Sequence, residues 1–216
     1  MTRIRSLLIA SHFGPTLIVV TTSFILSVSQ YPATSAARIA LAIFAGQLVV
    51  GWSNDLIDLP LDQAAGRESK PLVAGEITPS ILQRYIVAAL FAATFLSLLS
   101  PLGLKGTLVH LLGLLSATLY NIRLKSTVLS PLPYVISFGA MPWAVYLSQS
   151  ETPPLWLYLG FALFSVAFHF LNVIKDLQWD LNQGVMGLPQ RIGRNRSIGV
   201  ALILIMLALL DVLLLR

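Results

Sequence analysis

The chain has 216 residues, of which 56% are hydrophobic and only 11% charged, with a mean hydropathy of +0.81. Soluble domains carry about a quarter charged residues, so this composition excludes one and places the chain in a bilayer. Its formal charge of +5 reports loop topology and anionic headgroups in such a setting, and no nucleic-acid partner is inferred. Without a cysteine there is no disulfide framework, thiolate nucleophile or thiolate metal site.

Seven apolar stretches follow one another at residues 7–29, 36–57, 80–100, 104–120, 130–147, 155–174 and 198–215. A spanning helix needs about 20 apolar residues. Lipid-facing backbone must bond within its own segment, and the runs are too continuous for barrel strands, so each predicts a helix. The expected fold is all-α, a polytopic transmembrane bundle of about seven helices in a single domain over residues 1–216. Arg3, Arg5, the first apolar run and the small residues at 33–37 have features of a cleavable signal peptide. That run exceeds the roughly 7 to 15 residues of such segments, and it reads as a span.

Alternating helices with the N-terminus in the cytoplasm put Arg3, Arg5, Arg67, Lys70, Arg84, Arg123, Lys125, Lys175, Arg191, Arg194 and Arg196 on that side. Only Arg38, Lys105 and Arg216 fall opposite, which orients the bundle by the basic excess of cytoplasmic loops. The same face receives Asp55, Asp58, Asp62, Glu68, Glu76, Asp176 and Asp180, leaving Glu151 and Asp211 elsewhere. Topology requires no such gathering of acids, so it needs a further cause.

That cause lies in two segments. Asp55, Asp58 and Asp62 are spaced by three and four residues at the end of the second stretch, and Asp176 and Asp180 by four just beyond the sixth. On helices each set shares one face, where like charges repel unless a cation lies between them. Hard oxygen donors without Cys or His partners favour Mg²⁺ over zinc. A lone aspartate at a helix end would be an ordinary solvated group; five on two helix ends point to a shared metal site at Asp55, Asp58, Asp62, Asp176 and Asp180. Arg67 and Lys70 follow the first set, and Tyr120, Asn121, Arg123 and Lys125 close the fourth stretch on the same face. Carboxylates, divalent ions and basic side chains together suit a diphosphate. For Arg123 and Lys125, ordinary loop topology explains the charge equally well.

The run from Asn54 to Asp62 resembles the first aspartate-rich motif of the UbiA superfamily, Asn-Asp-x-x-Asp-x-x-x-Asp, at every named position. Asp176 and Asp180, followed by Gly184, Leu188, Pro189 and Gly193, are similar to the second motif, and the segment 120–125 to the close of the family's fourth helix. The resemblance implies an intramembrane prenyltransferase. Two Mg²⁺ ions held by both motifs would bind a polyprenyl diphosphate, whose tail occupies a lipid-exposed tunnel while a small, mostly aromatic acceptor lies beneath. Asn54, Arg67, Lys70, Tyr120, Asn121, Arg123 and Lys125 are the expected substrate-binding side chains, and Asp55, Asp58, Asp176 and Asp180 the catalytic ones. The family pattern has nine helices, so the last two are expected to be missing, with their wall left open to lipid or supplied by another chain. Pro60 should kink or end the second helix and make Asp62 the least secure ligand.

Other polar residues divide between site and packing. His12, within Ser-His-Phe-Gly-Pro, is the better candidate for acceptor contact than His110, which stands alone in an apolar run. His169 and Asn172 either point into the cavity or bond a neighbouring helix, whereas Gly46, Gln47, Gly51 and Ser53 suggest close helix packing, with Gln47 available for an interhelical hydrogen bond. Aromatic faces such as Tyr120, Tyr134, Phe138 and Phe168 can shelter a carbocation but are equally ordinary packing residues. Two alternatives accompany transfer: a membrane terpene cyclase using the same ionisation, and a truncated, non-catalytic binder of lipid diphosphates. Acceptor identity, prenyl length and oligomeric state leave no mark on the sequence.

Overall fold

A computed structural model describes residues 3–216 and contains helices and no strand among them. The helices are α1 (Arg3–Ala10), α2 (Phe13–Val28), α3 (Ala33–Ala64), α4 (Pro79–Leu99), α5 (Gly103–Ile122), α6 (Leu132–Leu147), α7 (Leu155–Asn182), α8 (Leu188–Ile192) and α9 (Arg194–Leu215). Each of the seven apolar stretches is helical. Four helices, α3, α4, α7 and α9, are long and apolar enough to cross a membrane by themselves, and α1 with α2 makes a fifth if that bent pair is one span. The count of seven is therefore approximate: α5 carries Lys105, His110 and Asn121 among its 20 residues, and α6 has only 16. The protein is an integral membrane protein, and its exterior agrees: Phe91, Phe95, Leu108, Leu213 and Leu214 are all more than half exposed.

The first span is broken where His12 takes a left-handed backbone at φ 52° between α1 and α2, which meet at 69°. Pro15 falls in the first turn of α2, where a missing amide hydrogen costs nothing. Helix α3 is 32 residues long, about 48 Å at 1.5 Å per residue, well beyond a hydrocarbon core of about 30 Å. Part of it must therefore lie outside that core, and all three aspartates fall in its last three turns. Of the two outcomes expected at Pro60, an end of α3 does not occur: residues 61–64 stay helical and the Ala65 amide donates to the Leu61 carbonyl at 3.0 Å. Helix α7, at 28 residues, likewise extends its C-terminal end with Asp176 and Asp180.

Helix α3 packs on α2, α4 and α5, and α7 on α6, α8 and α9. One apolar cluster joins Val19, Ile39, Ile43, Met141 and Val145 of α2, α3 and α6. A second joins Ala10, Val49, Trp52, Leu72, Ile77 and Leu82, and so clamps the loop after α3 between α1, α3 and α4. Thr78 caps α4 by accepting from the Ile81 amide, with Pro79 as the first helical residue. Burial of Leu72 and Ile77 in this cluster fixes the path of the loop that carries Arg67 and Lys70.

Candidate functional site

The ends of α3 and α7 face each other across a polar cavity of about 360 Å³. Asn54, Asp58, Asp62, Arg67, Lys70, Tyr120, Asn121, Lys125, Asp176 and Asp180 all line it. Two expected residues do not. Asp55, 3% exposed, lies behind the wall, and Arg123 is exposed at the end of α5, outside the lining.

Each acid of the first set has a basic partner. Lys70 Nζ donates to Asp55 at 2.9 Å and to Asp62 at 2.7 Å, Arg67 lies 3.4 Å from Asp62, and Lys125 donates to Asp58. Asp62 is 4% exposed and engaged by two cations, with α3 continuing as a helix past Pro60. Burial alone would push the Lys70 ammonium towards neutrality, yet Asp55 and Asp62 outweigh it and hold its pKa above the ordinary lysine value. Asn54 donates to Asp58 at 3.1 Å and contacts Asn121 at 3.4 Å, while Asn121 donates to the Val50 carbonyl at 3.0 Å. These two amides thus tie α5 to the aspartate turn of α3.

The second set joins the first through a cation. The Arg67 guanidinium stacks over the Trp179 ring at 4.1 Å, linking the loop after α3 to α7. Asp180 lies within the electrostatic reach of Lys125 and Arg67, and accepts a 2.8 Å hydrogen bond from Gln190 of α8. Asp176 is exposed at the rim. Below the polar cavity, an apolar chamber of about 200 Å³ is walled by Tyr120, Tyr134, Phe138 and Phe168 among others; Tyr120 and Tyr134 line both spaces. Tyr134 lies parallel to Phe138, with centroids 6.3 Å apart, and Tyr120 stands edge-on to Tyr134 at 5.2 Å.

The family model of the UbiA prenyltransferase family matches residues 16–216. This chain belongs to that family. Its fold is similar to a UbiA homologue from Archaeoglobus fulgidus solved with GPP and Mg²⁺, at a TM-score of 0.82 and 16% identity over 95% of this chain and 76% of that one. An Aeropyrum pernix K1 homologue in the apo state gives 0.72 at 19% identity, over 98% and 78% of the two chains. A digeranylgeranylglyceryl phosphate synthase gives 0.71 at 18%, over 98% and 76%. No curated protein matches by sequence.

Several site residues escape a motif reading. Gln190 falls one residue beyond the Leu188–Pro189 pattern, and nothing in the sequence reveals that its side chain turns back to Asp180. His12, singled out in the sequence for acceptor contact, lines the polar cavity and contacts Asp55 through Nε2 at 3.0 Å, a partner across 43 residues that the sequence does not reveal. His169 bonds Ser130 at 3.1 Å, whereas Asn172 faces both cavities. Gln47 makes no interhelical hydrogen bond among the described residues and lines both cavities.

Proposed function

We propose that the protein transfers an isoprenyl group from a polyprenyl diphosphate to a small acceptor within the membrane. One observation carries this reading: two acidic helix ends and three basic side chains line a single polar cavity that opens onto an aromatic-walled apolar chamber. A prenyl diphosphate has that same division, an anionic head on an apolar body.

The donor set suits Mg²⁺, since carboxylate oxygens abound and thiolates are absent. Among the described residues no three acidic or histidine side chains form a ready metal cluster. Mg²⁺ commonly takes only one or two carboxylates and completes its shell with water and substrate phosphate, so this arrangement fits it in company with the diphosphate. Asp58, Asp62, Asp176 and Asp180 at the cavity wall would hold it, with Asp55 holding Lys70 in place from behind. When bound, the ion supplies charge withdrawal from the diphosphate as the allylic C–O bond breaks.

The chain's own residues do the rest. Lys70, Arg67 and Lys125 stand where negative charge develops on the leaving pyrophosphate, each already oriented by an aspartate. Tyr120, Tyr134 and Phe138 present faces and edges to the space below, keep water from the cationic carbon and shelter it. The basic excess near the site puts it and the N-terminus on the cytoplasmic side.

Purified protein with Mg²⁺, geranylgeranyl diphosphate and a panel of phenolic and quinol acceptors tests the reading by product mass. A prenylated acceptor with released pyrophosphate is expected. A cyclised hydrocarbon formed from the donor alone, or no pyrophosphate release with any acceptor, would overturn it.

A further inference from the structure

His169 lines neither cavity, yet it touches the aromatic wall of one and the frame of the other. It is 1% exposed on α7, with its ring 4.5 Å from that of Tyr134 and 5.7 Å, edge-on, from that of Tyr120. Its Nε2 engages Ser130 Oγ at 3.1 Å, and the same oxygen accepts the Leu188 amide at 3.1 Å. Leu188 opens α8, so that bond fixes the first turn of the helix, and Gln190, two residues on, donates to Asp180 at 2.8 Å. An unbroken run of contacts therefore leads from the wall of the apolar chamber to a carboxylate of the polar cavity.

The second ring nitrogen shows that packing alone does not explain a histidine here. Nδ1 is buried and has no hydrogen-bonding partner among the described residues. A neutral imidazole has one donor nitrogen and one acceptor. If Nε2 donates to Ser130, Nδ1 is a stranded acceptor; if Ser130 donates to Nε2, Nδ1 is a stranded donor. Either tautomer leaves a polar atom unmatched inside the bundle, a cost that a phenylalanine of similar shape would not carry.

We infer that His169 is a positioning residue for Asp180: it holds Ser130, Ser130 holds the start of α8, and α8 holds Gln190 against the carboxylate. The inference rests on the reading of Asp180 as one of the residues that would hold Mg²⁺, and it adds a determinant of metal affinity that touches neither metal nor diphosphate. Little slack exists along this path. A Cβ on Gly187 would lie 3.0 Å from Ser130 Oγ and 2.7 Å from Gln190 Oε1, so the two side chains crowd one point of the backbone and a shift of either is felt by the other. Groups that orient a metal ligand commonly set about 10- to 100-fold in metal affinity. His169 acts further along the same path, and a smaller effect is expected of it.

The test is Mn²⁺ binding, followed by electron paramagnetic resonance in detergent-purified protein saturated with the unreactive geranyl S-thiolodiphosphate, so that no turnover is needed. H169F keeps a ring against Tyr134 and removes both nitrogens. Its Mn²⁺ affinity should fall at least about threefold while its melting temperature holds or rises. H169Q, whose amide reaches the place of Nε2, should bind Mn²⁺ within about twofold of wild type. S130A, which cuts the path at the next residue, should also lose at least about threefold. Adding H169F to Q190L should deepen the loss of Q190L by less than about twofold, because both interrupt one path. Wild-type affinity in either H169F or S130A overturns the inference, and so does a fully additive loss in the double variant. A loss that H169Q shares with H169F, matched by falling melting temperatures, would make His169 a packing residue and overturn it too. Failure of the wild type to bind Mn²⁺ would overturn the metal reading of the site together with this inference, whereas a wild type that binds and variants that match it spare that reading.

Discussion

Lys70 donates to Asp62 across 2.7 Å, so a loop residue closes onto the last turn of the helix that precedes it. The same ammonium reaches Asp55 two turns earlier, and one cation therefore holds two buried carboxylates on one helix face. K70Q should lower stability by about 2 kcal/mol, since each acid retains one other partner, His12 or Arg67. The sign of its pH dependence follows from a raised lysine pKa: the stabilisation is fully present below the unfolded value of about 10.4 and is lost as pH rises through the higher folded one. Thermal melts of wild type and K70Q should differ by a constant amount from pH 6 to 9 and converge only above that range. Convergence near neutrality would contradict the pairing.

Substitution of the acids separates charge from shape. D58N, D176N and D180N should each reduce turnover at least about tenfold by removing a charged oxygen from the cavity wall, and D55N should do so by releasing Lys70. E151Q, an exposed residue between α6 and α7, should leave turnover unchanged. Pyrophosphate release checks all five, and wild-type rates in any of the first four would count against the site.

Chelation offers a check without mutation. Excess EDTA should abolish prenyl transfer, and Mg²⁺ in excess of the chelator should restore it, because carboxylate, phosphate and water oxygens make the expected shell. Activity that persists under chelation would rule out a divalent ion as part of the chemistry.

Much of this architecture is legible in the chain because lipid enforces it. Apolar runs mark the helices, and the i, i+3 and i+4 spacing of Asp55, Asp58 and Asp62 marks their shared face before any tertiary contact is known. At Pro60 local sterics forecast a kink or a helix end; the helix does not end there, and Lys70 and Arg67 engage the following turn through Asp62. The chamber's polar lining is hidden for a different reason. Gln47 and His110 sit in apolar runs where packing is the commoner use, and only the tertiary arrangement places them along the chamber wall.

The most demanding prediction concerns how α8 sets the second acidic pair. Gly187 precedes this short helix with an ordinary φ of −67°, so backbone freedom does not explain a glycine there. Space does: a Cβ would lie 2.5 Å from the Lys125 carbonyl, 2.7 Å from Gln190 Oε1 and 3.0 Å from Ser130 Oγ. Ser130 accepts the Leu188 amide at 3.1 Å, and Gln190 donates to Asp180 at 2.8 Å, so the loop is pinned between the segment that carries Lys125 and the carboxylate it orients. G187A should push the loop off this contact, costing about 1 to 3 kcal/mol in stability and lowering turnover with it. Q190L keeps the packing and removes only the bond to Asp180. It should leave the melting temperature nearly unchanged yet raise the Mg²⁺ concentration for half-maximal activity several-fold, by about 1 kcal/mol of lost orientation. A parallel loss of stability and activity in Q190L, with the Mg²⁺ requirement unmoved, would mean that Gln190 merely packs and that Asp180 takes its orientation from elsewhere.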